Sequence, residues 1–295
     1  MFVDLLSVTV IGGKASEDLA KRLAKKLKAD FISSSLRIFP DGESKITINA
    51  KPKKGKIVIV NSIYPPVDSN LLQTLSLISK ARQSSSDVIS VIPYLGYARQ
   101  DREFLPGEVV TLSVITKLLK ASGASKVIVV DIHSQMGLKH FGIPVRNVSA
   151  VSELVNHFKK LKLRDPLVVS PDLGGAIRAE EFAKFYGTDF IALKKRRDRK
   201  TGKVEIMTPN LDGVKGRDLV IVDDMISTGG SIVKATEFLR KQKCRKVYVA
   251  CTHALLIDNA EKKIRKAGIS GIISTNTIPG NTSVVDVSGI IAKAI

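Results

Sequence analysis

One pattern occurs twice in this chain, about 160 residues apart, and it limits the folds that the chain can adopt. Lys56–Leu72 reads KIVIVNSIYPPVDSNLL, and Asp218–Ala235 reads DLVIVDDMISTGGSIVKA. Each copy begins with a short apolar run typical of a strand buried on both faces, passes through a polar turn and ends in a helix-forming segment. Similarity at a fixed offset indicates duplication. We therefore expect an α/β protein of two tandem units, each a mainly parallel sheet flanked by helices.

Alternating strand and helix signals surround both copies. In the first half, strands are predicted at Leu6–Ile11, Phe31–Phe39, Lys45–Asn49, Ile57–Asn61, Val88–Ile92 and Val127–Asp131, and helices at Ser16–Leu27, Asn70–Arg82 and Val109–Ala121. In the second half, strands are predicted at Leu167–Ser170, Phe190–Leu193, Lys203–Met207, Leu219–Asp223, Val247–Cys251 and Gly271–Ser274, and helices at Ala176–Tyr186, Ser231–Lys243 and Asp258–Lys266. These signals predict domains at 1–146 and 147–282, with a strand in 283–295 that returns to the first domain.

The second copy carries chemical groups that the first copy lacks. Asp223 and Asp224 follow its strand, at the end where open α/β sheets place their ligands. The turn after them is small and polar, with Ser227, Thr228, Gly229, Gly230 and Ser231. Glycines let a ligand approach the backbone, and the amides at a helix start suit a phosphate. Because acids repel a phosphate, we expect the two aspartates to hold ribose hydroxyls or a magnesium ion.

The formal charge of +19 calls for an anionic partner, either nucleic acid or a polyphosphate substrate. The lysines and arginines are dispersed apart from Lys194–Lys200, and only 5% of the residues are aromatic, which leaves few platforms for stacking bases. We therefore expect polyphosphate substrates and no nucleic acid.

Targeting signals are weak. No run approaches the roughly 18 apolar residues of a membrane span, and Asp4 interrupts the apolar stretch at the amino terminus. Cys244 and Cys251 lack the spacing of a zinc site and are typical of core thiols in a reducing compartment. These observations predict a cytoplasmic protein without membrane association.

The string LVIVDDMISTGGS, at Leu219–Ser231, resembles the phosphoribosyl pyrophosphate motif shared by type I phosphoribosyltransferases and ribose-phosphate pyrophosphokinases. Further strings, in family order, resemble the pyrophosphokinases: FPDGE at 39–43, PYLGYARQDRE at 93–103, VVDIHS at 129–134, SPDLGG at 170–175 and KKRRDR at 194–199. The resemblance covers nearly the whole chain. It implies two phosphoribosyltransferase-like domains that make 5-phosphoribosyl 1-pyrophosphate and AMP from ATP and ribose 5-phosphate, with Mg²⁺.

The resemblance also assigns roles to residues in the first half. By itself FPDGE is only a hairpin signal, but in the family this loop receives the adenosine of ATP. Phe39 would stack on adenine, and Asp41, Gly42 and Glu43 would contact its polar atoms. The family's loop serves a neighbouring subunit, which implies a homo-oligomer with its active site at a subunit interface.

The loop after Val88–Ile92 and the aspartate–histidine string are similar to two other family motifs. Arg99 and Gln100, with Asp101 beside them, would bind ATP on a loop that closes to exclude water. His133 would be a magnesium ligand, and Asp172 in the SPDLGG string a second magnesium contact.

The resemblance implies that Lys195 and Arg197 stabilise the transferring group. The sequence departs from the family pattern at Lys194 and Asp198, which replace an aspartate and a proline, and in the stretch Gln135–His140.

Two alternatives stay open at this point. Ser227 is more typical of a phosphoribosyltransferase, and the basic charge also suits a non-catalytic regulatory homologue. The oligomer size, regulation by ADP or phosphate, donor preference and physiological metal have no readable signature in the sequence.

Overall fold

We describe the protein from a computed structural model over residues 7–197, 204–206, 211 and 213–295. The chain forms two compact units. The first comprises Met1–Ser149, Thr277–Pro279 and Asp286–Ile295, and the second comprises Ala150–Asn276 and Gly280–Val285. The fold class expected from the duplicated pattern, a mainly parallel α/β architecture, is confirmed.

The first unit is built on a seven-stranded sheet of order β3-β2-β1-β4-β5-β6-β7, parallel except for the β2–β3 pair. Its elements are β1 (Val8–Gly12), α1 (Glu17–Leu27), β2 (Asp30–Ile38), β3 (Ser44–Ile48), β4 (Lys56–Val60), α2 (Val67–Arg82), β5 (Val88–Ile92), α3 (Thr111–Ala121), β6 (Lys126–Val130) and β7 (Val145–Val148), with 3-10 turns at Lys14–Ser16 and Gln135–His140.

The second unit contains a six-stranded parallel sheet of order β15-β14-β13-β12-β8-β9 and a separate antiparallel pair, β10–β11. Its elements are α4 (Val151–Lys160), β8 (Leu167–Ser170), α5 (Ala176–Tyr186), β9 (Phe190–Ala192), β10 (Lys195–Arg197), β11 (Val204–Ile206), β12 (Asp218–Ile226), α6 (Gly230–Lys241), β13 (Lys246–Ala254), α7 (Ala260–Lys266), β14 (Gly271–Thr275) and β15 (Ser283–Val285). The last helix, α8 (Ser288–Ala292), belongs to the first unit.

Helices cover the sheets because the central strands are apolar on both faces. All residues of β5 and of β8 are buried. In the first unit, Ile57 and Ile59 of β4 share one core cluster with Leu77 of α2 and Leu119 of α3. In the second, Ile221 of β12 lies in one cluster with residues of α6. This packing fixes the strands whose carboxyl ends carry the predicted site residues.

Each sheet has one place where the strand order reverses. In the first sheet, β1 lies between β2 and β4, and the later strands continue outward from β4. In the second sheet, β8 lies between β9 and β12, and the later strands continue outward from β12. Ligands of open α/β sheets bind at such switch points, outside the carboxyl ends of the strands. The two copies of the repeated pattern, β4–α2 and β12–α6, both lie beside a switch point.

The predicted core strands are observed, but several boundaries differ. Helix α7 begins at Ala260 rather than Asp258, because Asp258 and Asn259 have φ of 53° and 57°, outside the helical range. The strand expected to return to the first domain, at Ser283–Val287, is shorter and pairs with β14 in the second sheet. The segment that does group with the first unit is Asp286–Ile295.

Four elements were not anticipated: β7, β10, α4 and α8. In the part of the chain that the structure describes, no helix has the length and apolar character needed to cross a bilayer.

Candidate functional site

The repeated strand–turn–helix of the second unit lies at the switch point between β8 and β12. Strand β8 pairs with β12 over Leu219–Ile221, whereas β13 pairs along β12 as far as Ile226. The chain after β8 turns away into the SPDLGG loop. The two predicted aspartates therefore lie inside an extension of β12 rather than after its end, which corrects the shorter strand expected from the sequence.

Asp223 and Asp224 are held side by side on this extension. The amide of Asp224 donates a hydrogen bond of 2.9 Å to Oδ1 of Asp223. Oδ1 of Asp224 lies 3.7 Å from Nη1 of Arg178, on α5, and both side chains are largely buried. Sequence reasoning assigned no role to Arg178. Its signal was a cation in the first turn of the helix that follows the SPDLGG loop.

Burial raises the pKa of Asp223 well above its ordinary value, and the charge and hydrogen bond of Asp224 raise it further. The charge of Asp172 acts in the same direction, and Arg178 opposes it. Arg178 offsets part of this effect, and the carboxyl oxygens at this site can accept hydrogen bonds from sugar hydroxyls or attract a cation.

Cys251 lies behind the acids, with Sγ 3.6 Å from the carbonyl oxygen of Asp224. Burial, followed by the charges of Asp223 and Asp224, raises the pKa of this thiol well above its ordinary value. The thiol therefore stays protonated and is a core group, as the sequence indicated, rather than a nucleophile.

The SPDLGG loop holds Asp172 in a defined turn. Oδ1 of Asp172 accepts a hydrogen bond of 3.2 Å from the amide of Gly175, and the Ser170 hydroxyl donates to the Asp172 carbonyl at 2.6 Å. A Cβ at Gly175 would lie 2.9 Å from Oγ of Ser170, so this turn requires a small residue. The fold thus places Asp172 where its charge raises the pKa of Asp223.

The groups at this site that could hold a metal are the carboxylates of Asp172, Asp223 and Asp224. Among the described residues, no three His, Cys, Asp or Glu side chains gather into a metal-binding group. Magnesium prefers oxygen ligands and usually takes only one or two carboxylates, together with water and substrate phosphates. The excess of acids around Asp223 is an environment in which such a cation would be stabilised.

The turn before α6 combines one structurally required glycine with one that faces open space. Gly229 has φ of +76°, and a Cβ there would lie 2.8 Å from Cδ1 of Ile264 on α7. A Cβ at Gly230 would meet nothing within 4 Å. Ser227 is half-buried, while Thr228 and Ser231 are exposed. Because the first amides of an α-helix have no partner within it, this exposed turn can bind an anion.

The predicted catalytic cations lie on a short strand rather than in a loop. The backbone of Lys195 in β10 pairs with Ile206 of β11, and that of Arg197 pairs with Val204. The side chains of Lys195 and Arg197, and residues Asp198–Lys203, lie outside what the structure describes. The same holds for Met207, the predicted end of the strand observed as Val204–Ile206.

In the first unit, the FPDGE string forms the hairpin that its turn chemistry predicted. The amide of Phe39 donates to the Glu43 carbonyl at 2.8 Å, Gly42 has φ of 91°, and Oδ1 of Asp41 accepts from the Glu43 amide at 3.0 Å. The guanidinium of Arg37 lies 5.2 Å from the centre of the Phe39 ring. Asp41, Gly42 and Glu43 are exposed, so the hairpin tip is accessible to a ligand.

The loop after β5 divides its residues between solvent and interior. Arg99 and Gln100 are exposed, whereas Asp101 is only 8% exposed and its carbonyl oxygen lies 2.7 Å from Nε2 of His140. His133 is exposed just after β6, which neighbours β5 in the sheet. Arg99, Gln100 and His133 therefore follow the carboxyl ends of adjacent strands, and Asp101 differs from them in facing inward.

The corresponding turn in the first copy is filled by the protein itself. Asn61 occupies the place of Asp223, and its Oδ1 accepts a hydrogen bond of 3.2 Å from the Ala15 amide after β1. Its Nδ2 donates to the Asn70 carbonyl and to Oγ1 of Thr74 on α2, at 3.1 and 3.0 Å. The side chain is fully buried. This network uses the groups that would otherwise face a ligand, so the turn of the first copy is closed at the position where the second copy carries Asp223.

A switch point that carries paired acids and a glycine turn at a helix start defines a class of proteins, the phosphoribosyltransferase-like α/β proteins. Residues 8–123 match the family model described as the N-terminal domain of ribose phosphate pyrophosphokinase, and residues 201–295 match the phosphoribosyl synthetase-associated domain. Relatives named ribose-phosphate pyrophosphokinase include one from Sulfurisphaera tokodaii, 35% identical over 97% of this chain and 99% of the relative. Another, from Methanopyrus kandleri, is 38% identical over 94% of each chain.

The solved structure of phosphoribosylpyrophosphate synthetase from Mycobacterium smegmatis is similar to this chain with a TM-score of 0.85 and 26% identity. The similarity covers 98% of this chain and 97% of that one. The chain therefore belongs to the ribose-phosphate pyrophosphokinase family, and it is an enzyme, a transferase of the kinase type that serves nucleotide biosynthesis. This assignment favours diphosphoryl transfer over the two alternatives, a phosphoribosyltransferase and a non-catalytic regulatory homologue.

Proposed function

We propose that the protein transfers the diphosphoryl group of ATP to the 1-hydroxyl of ribose 5-phosphate, giving 5-phosphoribosyl 1-pyrophosphate and AMP. The observation that carries the proposal is the turn at the switch point of the second sheet. There, in a chain of this family, paired acids on β12 precede an open glycine turn at the start of α6.

Ribose 5-phosphate would bind at this turn. Its phosphate would accept hydrogen bonds from the amides and hydroxyls of the turn at the start of α6, formed by Ser227, Thr228, Gly229, Gly230 and Ser231. Asp223 and Asp224 would accept hydrogen bonds from the ribose hydroxyls, with Arg178 balancing part of their charge. The sugar would thus be fixed at both ends, which orients its 1-hydroxyl for attack.

ATP would be bound by the two accessible loops of the first unit. Phe39 would stack on adenine while Asp41, Gly42 and Glu43 contact the polar atoms of the nucleoside. Arg99 and Gln100 would contact the phosphates. Asp101 was predicted beside them, but because its side chain is buried we infer that it supports the loop instead.

Transfer of the diphosphoryl group needs in-line positioning and cations more than covalent help. The 1-hydroxyl oxygen would attack the β-phosphorus of ATP, and the bond from that phosphorus to the oxygen of AMP would break. Lys195 and Arg197 would stabilise the charge of the transition state. We assign His133 of the first unit and Asp172 of the second unit as magnesium contacts. Magnesium would neutralise charge on the phosphates of the donor.

We further propose a homo-oligomer whose active site is completed by a neighbouring subunit. In the first sheet β2, which carries the hairpin, is three strand spacings from β5, which carries the Arg99 loop. That corresponds to about 14 Å at the usual distance between strands. A hairpin tip that extends beyond the sheet is suited to contact the nucleotide of another subunit.

The proposed location is the cytoplasm. Its support is the chemistry of the cysteines, since Cys244 and Cys251 are buried free thiols that form no disulfide with each other. Such thiols are typical of a reducing compartment.

The experiment is the release of AMP from ATP and Mg²⁺, followed with and without ribose 5-phosphate. We expect AMP to form only when the sugar phosphate is present, together with a product that a purified phosphoribosyltransferase consumes. ATP-dependent formation of ribose bisphosphate and ADP, or no turnover under conditions where the protein is folded, would contradict the proposal.

A further inference from the structure

The 3-10 turn Gln135–His140 has no role in the site as described so far, and its sequence departs from the family pattern. It begins five residues after β6 ends, and it contacts α3 within the same unit. Its contacts lead to the loop that carries Arg99 and Gln100.

One hydrogen bond connects the turn with that loop. Nε2 of His140 lies 2.7 Å from the carbonyl oxygen of Asp101. A carbonyl oxygen can only accept a hydrogen bond, so the imidazole donates through Nε2. Because Asp101 is nearly buried, its carbonyl has little access to water and depends on this donor.

The backbone of His140 is itself held in place. The hydroxyl of Thr116, inside α3, donates to the His140 carbonyl at 2.9 Å and is fully buried. A Cβ at Gly137 would lie 2.6 Å from Cδ2 of Leu112 and 3.7 Å from Cβ of Asp101. The turn therefore lies closely against both α3 and the inner side of the loop.

The first turn of α3 fixes the neighbouring residue of the loop. The Leu112 amide donates to the Gln100 carbonyl at 3.2 Å, and the Gln100 amide donates to the Tyr97 carbonyl at 2.9 Å. The backbone at Gln100 and Asp101 is thus bound from the inside, while the side chains of Arg99 and Gln100 are exposed.

We propose that His140 is a positioning residue for the nucleotide: by holding the Asp101 carbonyl, it orients Arg99 and Gln100 for the phosphates of ATP. The proposal rests on the proposed function in assigning those two side chains to ATP. His140 touches no substrate in this role and acts through the backbone of the loop.

The test compares His140→Phe, which keeps a flat ring without a donor, with His140→Gln, which keeps an N–H at a similar reach. Equilibrium titration with Mg·ATP and steady-state kinetics are measured for each variant. We expect His140→Phe to weaken ATP binding about tenfold, as for a buried acceptor that has lost its donor. The KM for ribose 5-phosphate should stay unchanged, and His140→Gln should recover most of the ATP affinity.

The outcomes separate this proposal from the proposed function. Unchanged ATP affinity in His140→Phe, equal losses in the Phe and Gln variants, or a parallel loss for ribose 5-phosphate would each overturn the positioning role. If the wild-type protein binds ATP but forms no AMP, the proposed function fails and the binding comparison still decides the role of His140. If it does not bind ATP, both fail. Should His140→Phe not fold, His140→Asn, whose amide is too short to reach the carbonyl, gives the same comparison.

Discussion

Gly229 and Gly230 stand side by side before α6, but the fold constrains only the first. Gly229 needs a left-handed backbone and lies against Ile264, whereas Gly230 begins a helix and faces open space. The sequence TGG did not show which glycine is required by packing and which one faces open space. That distinction depends on α7, which approaches α6 only in the folded unit.

These two positions give a matched pair of substitutions. Gly229→Ala should destabilise the protein by about 2 kcal/mol, because it strains the backbone and crowds Ile264. Gly230→Ala should be neutral or stabilising by up to about 1 kcal/mol, since alanine favours the helix. It should nevertheless weaken ribose 5-phosphate binding by placing a methyl group where the phosphate approaches. Thermal denaturation and a binding titration check both effects, and unchanged binding in Gly230→Ala would argue against the phosphate site.

Asp223 illustrates how a residue proposed to bind substrate can reduce stability. Because its pKa is raised in the folded protein, the folded state keeps a proton that the unfolded chain has already lost. Stability contributed by this group therefore falls as the pH rises from about 4 through the raised pKa.

Asp223→Asn removes the charge and keeps an Oδ1 acceptor for the Asp224 amide. In metal-free buffer it should stabilise the protein by about 1 kcal/mol at pH 8, a rise of roughly 2–4 °C in Tm, and by much less near pH 4. Ribose 5-phosphate binding should be lost at both pH values. A lower Tm than wild type at pH 8 would show that the carboxylate is stabilised by its surroundings instead.

At the scale of elements, the signals that succeeded were local. The FPDGE turn, the apolar runs of β4, β5 and β8, and the periodicity of α1 and α5 are short-range patterns, and these elements were predicted to within one or two residues. Helix α4 was missed although Val151, Leu154, Val155 and Phe158 have helical spacing and are all buried. Its signal was present but lay at the predicted domain boundary.

Strand β10 is a different kind of miss. Its residues, Lys195–Arg197, are all basic, and such a run has low strand propensity. It becomes a strand through antiparallel pairing with β11, an interaction that no pattern within the run encodes.

The β2–β3 hairpin offers a second matched pair. Ile38 and Phe39 are neighbours at its tip, and Ile38 is 51% exposed. Phe39→Ala should raise the KM for ATP by about tenfold or more, because stacking on a base is worth about 1–3 kcal/mol. The KM for ribose 5-phosphate should not change. Ile38→Ala should leave both constants near wild type, and equal effects of the two substitutions would indicate a general role in hairpin stability.

At the scale of the whole molecule, the repeated strand–turn–helix occurs in two forms, β4–α2 and β12–α6. The turn of the second copy is open and acidic, and that of the first is closed by hydrogen bonds of Asn61 to the chain after β1 and to α2. Duplication thus supplies two switch points, and at the first of them Asn61 makes internal hydrogen bonds. The first unit instead carries the ATP loops that we propose.

The proposed sharing of the active site between subunits has a direct consequence for mixed oligomers. Lys195→Ala alone should lower turnover by about a hundredfold or more without affecting ribose 5-phosphate binding. In the proposed arrangement, the Phe39 of each site belongs to a different subunit from the Lys195 of that site, so Phe39→Ala impairs the contribution of the neighbouring subunit. Equal mixtures of the two variants, co-refolded and assayed with ATP well below its KM, should therefore regain about a quarter of wild-type activity, because random pairing produces some sites that carry neither defect. No recovery in a mixture shown to contain both subunits would place Phe39 and Lys195 in the same subunit's site.

The sequence alone determined the fold class, the duplication and the chemical character of the turns, because each depends on residues close together along the chain. Only the tertiary structure decided which groups meet: Arg178 with Asp224, His140 with the Asp101 carbonyl, and Asn61 with the Ala15 amide. These partners are separated by 39 residues or more, 39 for the His140 bond and 46 for the Asn61 bond. Contacts at such separations arise when strands and helices pack, so a local pattern cannot specify them.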